Sequence, residues 1–225
     1  MDDANTPGER GNDPDDRGEP AHNTTLALTN PHYLAHLTQA GAVRDVRATA
    51  DINTTSGLKL VARGTRITLR HFERLVGHRL SHQIDHMVGV ADGVAAEQLA
   101  SAAKILAEQE PFDRLVANRA ARKRALDALA RVQCLPVMAG KLAIMKERLL
   151  AQFDHLVRVA LCAAVIADDL RFTLQDCIRA ATAGAFHDLG YLHIDPAIFE
   201  ASGRLSAEHR RQIHAHPLIG HLILS

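Results

Sequence analysis

Apolar residues recur with the period of a helix through most of the second half of the chain. In residues 153–170 they cover so much of the helix circumference that this helix is predicted to lie at the centre of a core. A second helix is predicted to begin after Thr173 in a T-x-x-D capping box, with an apolar stripe that reaches Ala185. This second helix is expected to end at His187 and Asp188, and Gly190 is suited to its cap.

The first half of the chain combines a strand pattern with further helices. Residues 43–52 and 58–62 are β-capable and flank a turn cluster at 54–57, which predicts a β-hairpin. Helix is predicted after Thr68, and again in residues 95–109 and 112–132, which Glu110-Pro111 divides because proline removes a helical hydrogen bond. The predicted fold class is therefore mainly α, with a small N-terminal β-hairpin module.

Composition divides this pattern into three segments. Residues 1–26 are predicted to be a disordered acidic tail, since residues 1–20 hold seven acidic and two basic side chains and little that could be buried. Residues 27–135 form the β-hairpin and helical region, and Pro136 opens a helical domain over 136–225. A content of 47% apolar and 23% charged residues is typical of a globular protein. Without an evident secretory signal or uncharged apolar run of eighteen residues, a cytoplasmic protein without a membrane span is expected.

Several polar clusters are expected to be surface features. The basic residues of the 112–132 helix could attract nucleic acid, but an aromatic content of 4% and the absence of tryptophan disfavour that partner. His78, His82 and His86 stand four residues apart, yet no carboxylate stands in register with them, so they are predicted to face solvent. The three cysteines show no CxxC spacing and are predicted to be reduced.

The candidate chemistry lies at His187-Asp188, an adjacent imidazole and carboxylate. Such a pair is most often a set of hydrogen-bonded polar groups at a helix end. It also suits a metal ion, and zinc, manganese or iron better than calcium or magnesium. His155 lies thirty-two residues before His187, in a helix apolar enough that it is predicted to be buried or nearly so, and His216 lies twenty-nine residues after it. This spacing favours the metal.

The arrangement of these residues resembles the HD superfamily of metal phosphohydrolases. The nearest pattern is that of the HD-GYP branch, whose active members hydrolyse cyclic di-GMP. The resemblance covers residues 150–225, and its motifs are His155, His187-Asp188-Leu189-Gly190, Ile194-Asp195-Pro196-Ala197-Ile198, Ser202-Gly203-Arg204-Leu205-Ser206 and His216-Pro217-Leu218-Ile219-Gly220.

The resemblance implies a fold, a cofactor and a substrate. It implies an HD-type helical bundle that holds divalent metal ions, iron or manganese before zinc, and hydrolyses a cyclic dinucleotide. Asp188 would bridge two ions as the catalytic carboxylate, His155 and His187 would bind one ion, and His216 would contribute to the other. The four side chains are therefore expected to converge. His193, His209, His214 and His221 match no ligand position of the family.

The chain also departs from the family pattern, and two further interpretations stay open. Tyr191 stands where the family commonly has a lysine, Ala151 stands where some members have a metal-binding glutamate, and neither a later histidine pair nor Gly-Tyr-Pro occurs up to Ser225. Weak or absent activity is expected. The chain can instead be a non-catalytic HD module that senses a metal or nucleotide or docks a partner. A homodimer or a signalling partner is compatible with either interpretation. A hydrolase for another phosphoester is disfavoured, because no aspartate follows Asp195.

Overall fold

The computed structural model describes residues 30–110, 112–200 and 202–225, so the predicted acidic tail at 1–26 lies outside the described residues. The described chain is mainly helical with a small β region, which confirms the predicted fold class. The elements in order are α1 (Pro31–Ala40), β1 (Val46–Ala48), β2 (Ile52–Asn53), β3 (Lys59–Val61), α2 (Phe72–Val76), β4 (Val88–Val90), α3 (Ala96–Leu106), α4 (Phe112–Leu115), α5 (Arg119–Leu129), α6 (Pro136–Arg148), α7 (Leu150–Asp169), α8 (Leu174–Phe186), α9 (Ala197–Glu200) and α10 (Ala207–Leu224). Short 3₁₀ helices occupy Leu69–His71, Ile84–His86 and Leu189–His193.

The β region contains two separate antiparallel pairs. β2 and β3 form the predicted hairpin around the 54–57 turn, where Gly57 has a positive φ of 87°. The predicted strand 43–52 is split, because its first part, β1, pairs with β4 rather than with β3. Val46 and Ala48 of β1 are buried, so the long-range pairing covers an apolar strand face.

The long helix predicted to follow Thr68 ends early. α2 stops at Val76, and the chain at Arg79 to Ser81 runs beside the hairpin, with the backbone N–H of Thr55 donating to the Arg79 carbonyl and that of Ser81 to the Asn53 carbonyl. Leu80 is fully buried there. Burial of Leu80 favours this path of the chain over a longer α2. His78, His82 and His86 therefore do not share a helix face.

α7 is the central helix of the C-terminal half, as its apolar pattern predicts. Its apolar face is buried against α5, α6 and α8. α7 is long and apolar enough to cross a membrane, a property that buried core helices share and that is weak support for a span. It ends in a Schellman motif in which Arg171 has a φ of 63° and the Phe172 N–H donates to the Ala167 carbonyl at 3.0 Å.

Two glycines let the backbones around the C-terminal helices approach closely. A Cβ added to Gly184, in the last turn of α8, would lie 2.6 Å from the Cα of Ala160 in α7. A Cβ added to Gly190 would lie 2.0 Å from the carbonyl oxygen of His216 in α10. The sequence suggests that Gly190 caps α8, and this prediction is wrong. Gly190 lies inside the Leu189–His193 helix and allows that helix to contact α10.

α10 is one continuous helix. Ser206 caps it, with its hydroxyl accepting the His209 N–H at 3.0 Å. Pro217 lies inside α10 rather than at the start of a new helix. The fold therefore brings the end of α8, the second turn of α7 and the middle of α10 to one place.

Candidate metal centre

Asp188 lies at the centre of three histidines. Its side chain is 6% exposed, and its two oxygens face different partners. Oδ2 lies 3.0 Å from Nε2 of His187 and 3.6 Å from Nε2 of His155. Oδ1 lies 2.9 Å from Nε2 of His216. The four predicted side chains thus lie together, with the carboxylate between two sets of imidazoles. Their role as metal ligands stays a prediction.

Three of these residues form a group that can hold a metal ion. The ligand atoms of His155, His187 and Asp188 all lie within 4.8 Å of one another. Two ligands bound at about 2.1 Å to one ion at a right angle are separated by about 3 Å. The distances from Asp188 to His187 and His216 match that separation, and the longer distance to His155 corresponds to a wider angle between ligands.

Backbone carbonyls orient two of the imidazoles. Nδ1 of His187 donates to the Gly184 carbonyl at 2.8 Å, and Nδ1 of His216 donates to the Ile213 carbonyl at 2.5 Å. A carbonyl oxygen only accepts, so Nδ1 carries the proton and Nε2 points towards the carboxylate. Histidine ligands of metals usually have such a partner on the other ring nitrogen. A neutral Nε2 and a carboxylate oxygen at about 3 Å repel each other unless a proton or a cation lies between them.

Both carbonyls are available for a structural reason. Gly184 lies in the last turn of α8, where carbonyls lack a helical partner. The Ile213 carbonyl would normally accept the N–H of residue 217, and proline has none. The helix end and the proline therefore free the two acceptors that fix the rings of His187 and His216.

One side of the centre is open to solvent. The His155 side chain is 56% exposed and that of His187 is 37% exposed, whereas His216 is 18% exposed. The prediction that His155 is buried is wrong. Phe153, Leu156 and Val157 lie on the buried face of α7. His155 lies outside that face, with its ring centroid 5.6 Å from that of His187. A ligand can therefore reach the centre along the His155 side.

Tyr191 lies beside the inner part of the centre. Its ring centroid is 4.2 Å from that of His216 and 5.2 Å from that of Phe199. Burial, and then the charge of Asp188, raise the pKa of the Tyr191 phenol above its usual value. The position where the family commonly has a cation thus holds a neutral hydrogen-bond donor.

The other histidines near the motifs lie outside this group. Within the described residues, neither His209, His214 nor His221 joins the group that can hold a metal. His193 also lies apart from it. Its Nε2 is 3.1 Å from the Asp85 carboxylate, which is also paired with Lys141. Sequence reasoning missed this buried pairing, because Asp85 and Lys141 are far apart in the chain and neither belongs to a motif.

Comparison of the chain with protein-family models, with curated proteins and with solved structures finds no match. The assignment of a function therefore depends on the residues and geometry of this centre and on the sequence resemblance.

Proposed function

We propose that the protein is a metal-dependent phosphodiesterase that acts on cyclic di-GMP in the cytoplasm, with slow turnover. The observation that supports a metal centre is the Asp188 carboxylate, whose two oxygens face the Nε2 atoms of different histidines at 2.9 to 3.6 Å. A carboxylate with one oxygen towards each of two ligand sets suits a pair of metal ions. The choice of cyclic di-GMP as substrate depends on the sequence resemblance to HD-GYP proteins.

The residues have separate tasks in this proposal. His155, His187 and Asp188 would hold one ion, and His216 with Asp188 would contribute to a second ion. Iron or manganese suits this set of nitrogen and oxygen donors, and zinc is the next choice. Bound metal lowers the pKa of a water molecule and neutralises charge on a phosphate.

The chain itself orients the donors and admits the substrate. The carbonyls of Gly184 and Ile213 hold the rings of His187 and His216, so their Nε2 atoms need little reorganisation on binding. The exposed side of the centre at His155 leaves room for a phosphodiester to approach. The Tyr191 phenol donates a hydrogen bond to a phosphate oxygen, but it supplies no positive charge.

Slow turnover follows from the donor set and from Tyr191. In this proposal the four side chains would have to serve two ions, so each ion would bind weakly. Loss of one electrostatic stabiliser of the transition state costs on the order of 10²- to 10³-fold in rate. We therefore expect turnover below about one per second, the low end for ordinary enzymes.

The test combines metal content with product formation. Purified wild type should carry sub-stoichiometric iron, manganese or zinc by elemental analysis, and should release linear pGpG slowly from cyclic di-GMP with Mn²⁺ or Fe²⁺, detected by chromatography. Asp188→Ala should lose both metal and product. His214→Ala is the matched control, because His214 is exposed and lies outside the metal group although it is two residues from His216.

Two outcomes contradict the proposal. Equal metal content in wild type and Asp188→Ala would show that the His-Asp pair is structural. Turnover at ordinary rates that Asp188→Ala abolishes would show that the four donors and Tyr191 suffice for efficient catalysis, contrary to the slow turnover proposed here.

A second function is favoured by Tyr191. A neutral phenol packed on His216 suits binding of a nucleotide better than stabilisation of charge on its phosphate. We propose as the alternative a non-catalytic HD module that binds metal or nucleotide and docks a signalling partner. Cyclic di-GMP binding measured by calorimetry, without any pGpG, would favour this alternative.

A further inference from the structure

A second cluster of ionisable residues lies in the interior, apart from the metal centre. Its members are Asp85, Lys141, His193 and Tyr33, here called the Asp85 cluster. Oδ1 of Asp85 accepts hydrogen bonds from Nζ of Lys141 and, at 3.1 Å, from Nε2 of His193. The side chains of Asp85 and Lys141 are each 2% exposed, and that of His193 is 4% exposed. Water therefore does not compete for these groups.

The ring of Tyr33 completes the cluster. Nζ of Lys141 lies 4.3 Å from its centroid, and the imidazole of His193 stacks on it at 4.7 Å with an interplanar angle of 12°. The members come from four segments, namely α1, the Ile84–His86 helix, α6 and the Leu189–His193 helix. Through this cluster, segments from both halves of the chain contact the Leu189–His193 helix, which follows Asp188.

The electrostatics favour an ionised Asp85. Burial alone raises the pKa of this carboxyl, but the hydrogen bond from His193 and the charge of Lys141 outweigh burial and hold the pKa below its usual range. A buried ion pair is seldom more stable than well-packed apolar residues of the same size. Here, however, its hydrogen bonds join segments that are distant in the sequence.

The Leu189–His193 helix carries this constraint to the metal centre. Asp188 immediately precedes that helix, and His193 is its last residue. Because Gly190 has no side chain, the same helix lies directly against the His216 backbone in α10. The side chain of Asn30 also donates to the His193 carbonyl at 3.0 Å. The helix is therefore held at its far end by the cluster while its near end sets Asp188 against His216.

We propose that Asp85 is a positioning residue for the metal centre, acting through its hydrogen bond to His193 to hold Asp188 within reach of His216. This inference depends on the metal centre of the proposed function and not on its substrate. It gives the N-terminal half of the chain a role in metal binding, although the donors predicted from the sequence all lie in the C-terminal half.

The experiment is a titration of purified protein with Co²⁺, whose visible absorption reports both affinity and coordination. His193→Phe keeps a ring to stack on Tyr33 and loses the hydrogen bond to Asp85. His193→Gln places an amide N–H near the position of the lost Nε2. We expect His193→Phe to bind Co²⁺ about tenfold more weakly with an altered spectrum, as loss of an outer partner does at other centres. His193→Gln should restore most of the affinity.

A second pair of variants and a stability control separate positioning from folding. Asp85→Asn/Lys141→Met removes both charges and keeps an acceptor for His193, so it should bind Co²⁺ like wild type. Asp85→Leu/Lys141→Met removes that acceptor and should behave like His193→Phe. Leu60→Ala removes a buried side chain in β3, away from the cluster, and should lower the melting temperature without changing the spectrum.

Each outcome decides the inference. It is overturned if folded His193→Phe keeps the wild-type affinity and spectrum, or if Leu60→Ala weakens Co²⁺ binding as much. Absence of Co²⁺ binding by wild type overturns the metal centre and the inference together. Failure to release pGpG, with the affinity pattern as expected, overturns only the phosphodiesterase.

Discussion

At the scale of single residues, Pro217 is the residue that fixes the ring of His216. Pro217 lies inside α10 and has no N–H for the Ile213 carbonyl, and Nδ1 of His216 takes that place at 2.5 Å. Pro217, a residue that is unfavourable in a helix interior, therefore leaves a backbone carbonyl free to accept a hydrogen bond from the imidazole of His216. Pro217 is therefore expected to lower the stability of the helix and, by orienting His216, to favour metal binding. Replacing Pro217 should change these two properties in opposite directions.

Pro217→Ala should make the fold more stable and metal binding weaker. Alanine restores the N–H to Ile213 and removes the ring clash, which should raise the free energy of unfolding by about 1 kcal/mol or more. The restored N–H competes with His216, so affinity for Mn²⁺ should fall about tenfold. Urea denaturation and electron paramagnetic resonance of free Mn²⁺ measure the two effects.

The control for this prediction is Leu218→Ala. Leu218 is the next residue of α10 and is 58% exposed, so its removal leaves the Ile213 carbonyl unchanged. Unchanged Mn²⁺ affinity in Pro217→Ala would show that the helical carbonyl does not orient His216.

Sequence reasoning finds the four residues of the candidate centre but not their surroundings. The spacing of His155, His187, Asp188 and His216 identified four side chains that lie together. The sequence did not predict that His155 is exposed, because a largely apolar helix does not reveal which narrow face its neighbours leave open. Nor did it predict Asp85 or Lys141, since a buried ion pair between distant residues leaves no periodic pattern.

At the scale of elements, the centre depends on the contact between the Leu189–His193 helix and α10. The two backbones approach each other closely at Gly190 and at Gly220, which have no side chains. The two glycines differ in the space around them. A Cβ at Gly190 would lie 2.0 Å from the His216 carbonyl oxygen, and one at Gly220 would lie 3.6 Å from the His187 carbonyl oxygen.

Gly190→Ala should therefore damage the centre, and Gly220→Ala should not. The added methyl group at residue 190 meets backbone, which cannot move aside without separating the helix from α10. Overpacking of this kind costs about 1 to 3 kcal/mol, and Mn²⁺ affinity should fall with it. Gly220→Ala meets an ordinary contact and gains helix propensity of up to about 1 kcal/mol. Urea denaturation and Mn²⁺ titration of both variants check this, and equal losses in the two would show that the contact is not limiting.

The sequence predicts local features, such as helix caps, better than it predicts strand pairing between distant segments. Thr173 caps α8 as expected, because a cap involves residues only three apart. The pairing of β1 with β4 was not predicted, since β4 follows a stretch whose histidine and leucine spacing resembled a helix. Burial of Leu80 against the hairpin, which decides that stretch, is a tertiary effect.

At the scale of the whole molecule, one hydrophobic core extends from Tyr33 in α1 to Leu192 beside the metal centre. α1 packs on α6 and on the Leu189–His193 helix, and β4 packs on α6. The Asp85 cluster joins the same segments by hydrogen bonds. The boundary at Pro136 inferred from the sequence stays a prediction, and these contacts favour unfolding of residues 30–225 as one cooperative unit.

Cooperative unfolding can be measured with the two tyrosines, because the chain has no tryptophan. Tyr191→Phe leaves Tyr33 as the reporter of the N-terminal half, and Tyr33→Phe leaves Tyr191 as the reporter of the C-terminal half. Each phenylalanine keeps the ring and its packing. For each variant, urea unfolding is followed both by tyrosine fluorescence and by far-ultraviolet circular dichroism. The two signals should share one midpoint in both proteins. The reason is that unfolding of either half exposes the shared core and separates Asp85 from His193. A Tyr33 signal lost at distinctly lower urea than the Tyr191 signal would instead show that the two halves of the chain unfold separately, with a division near Pro136.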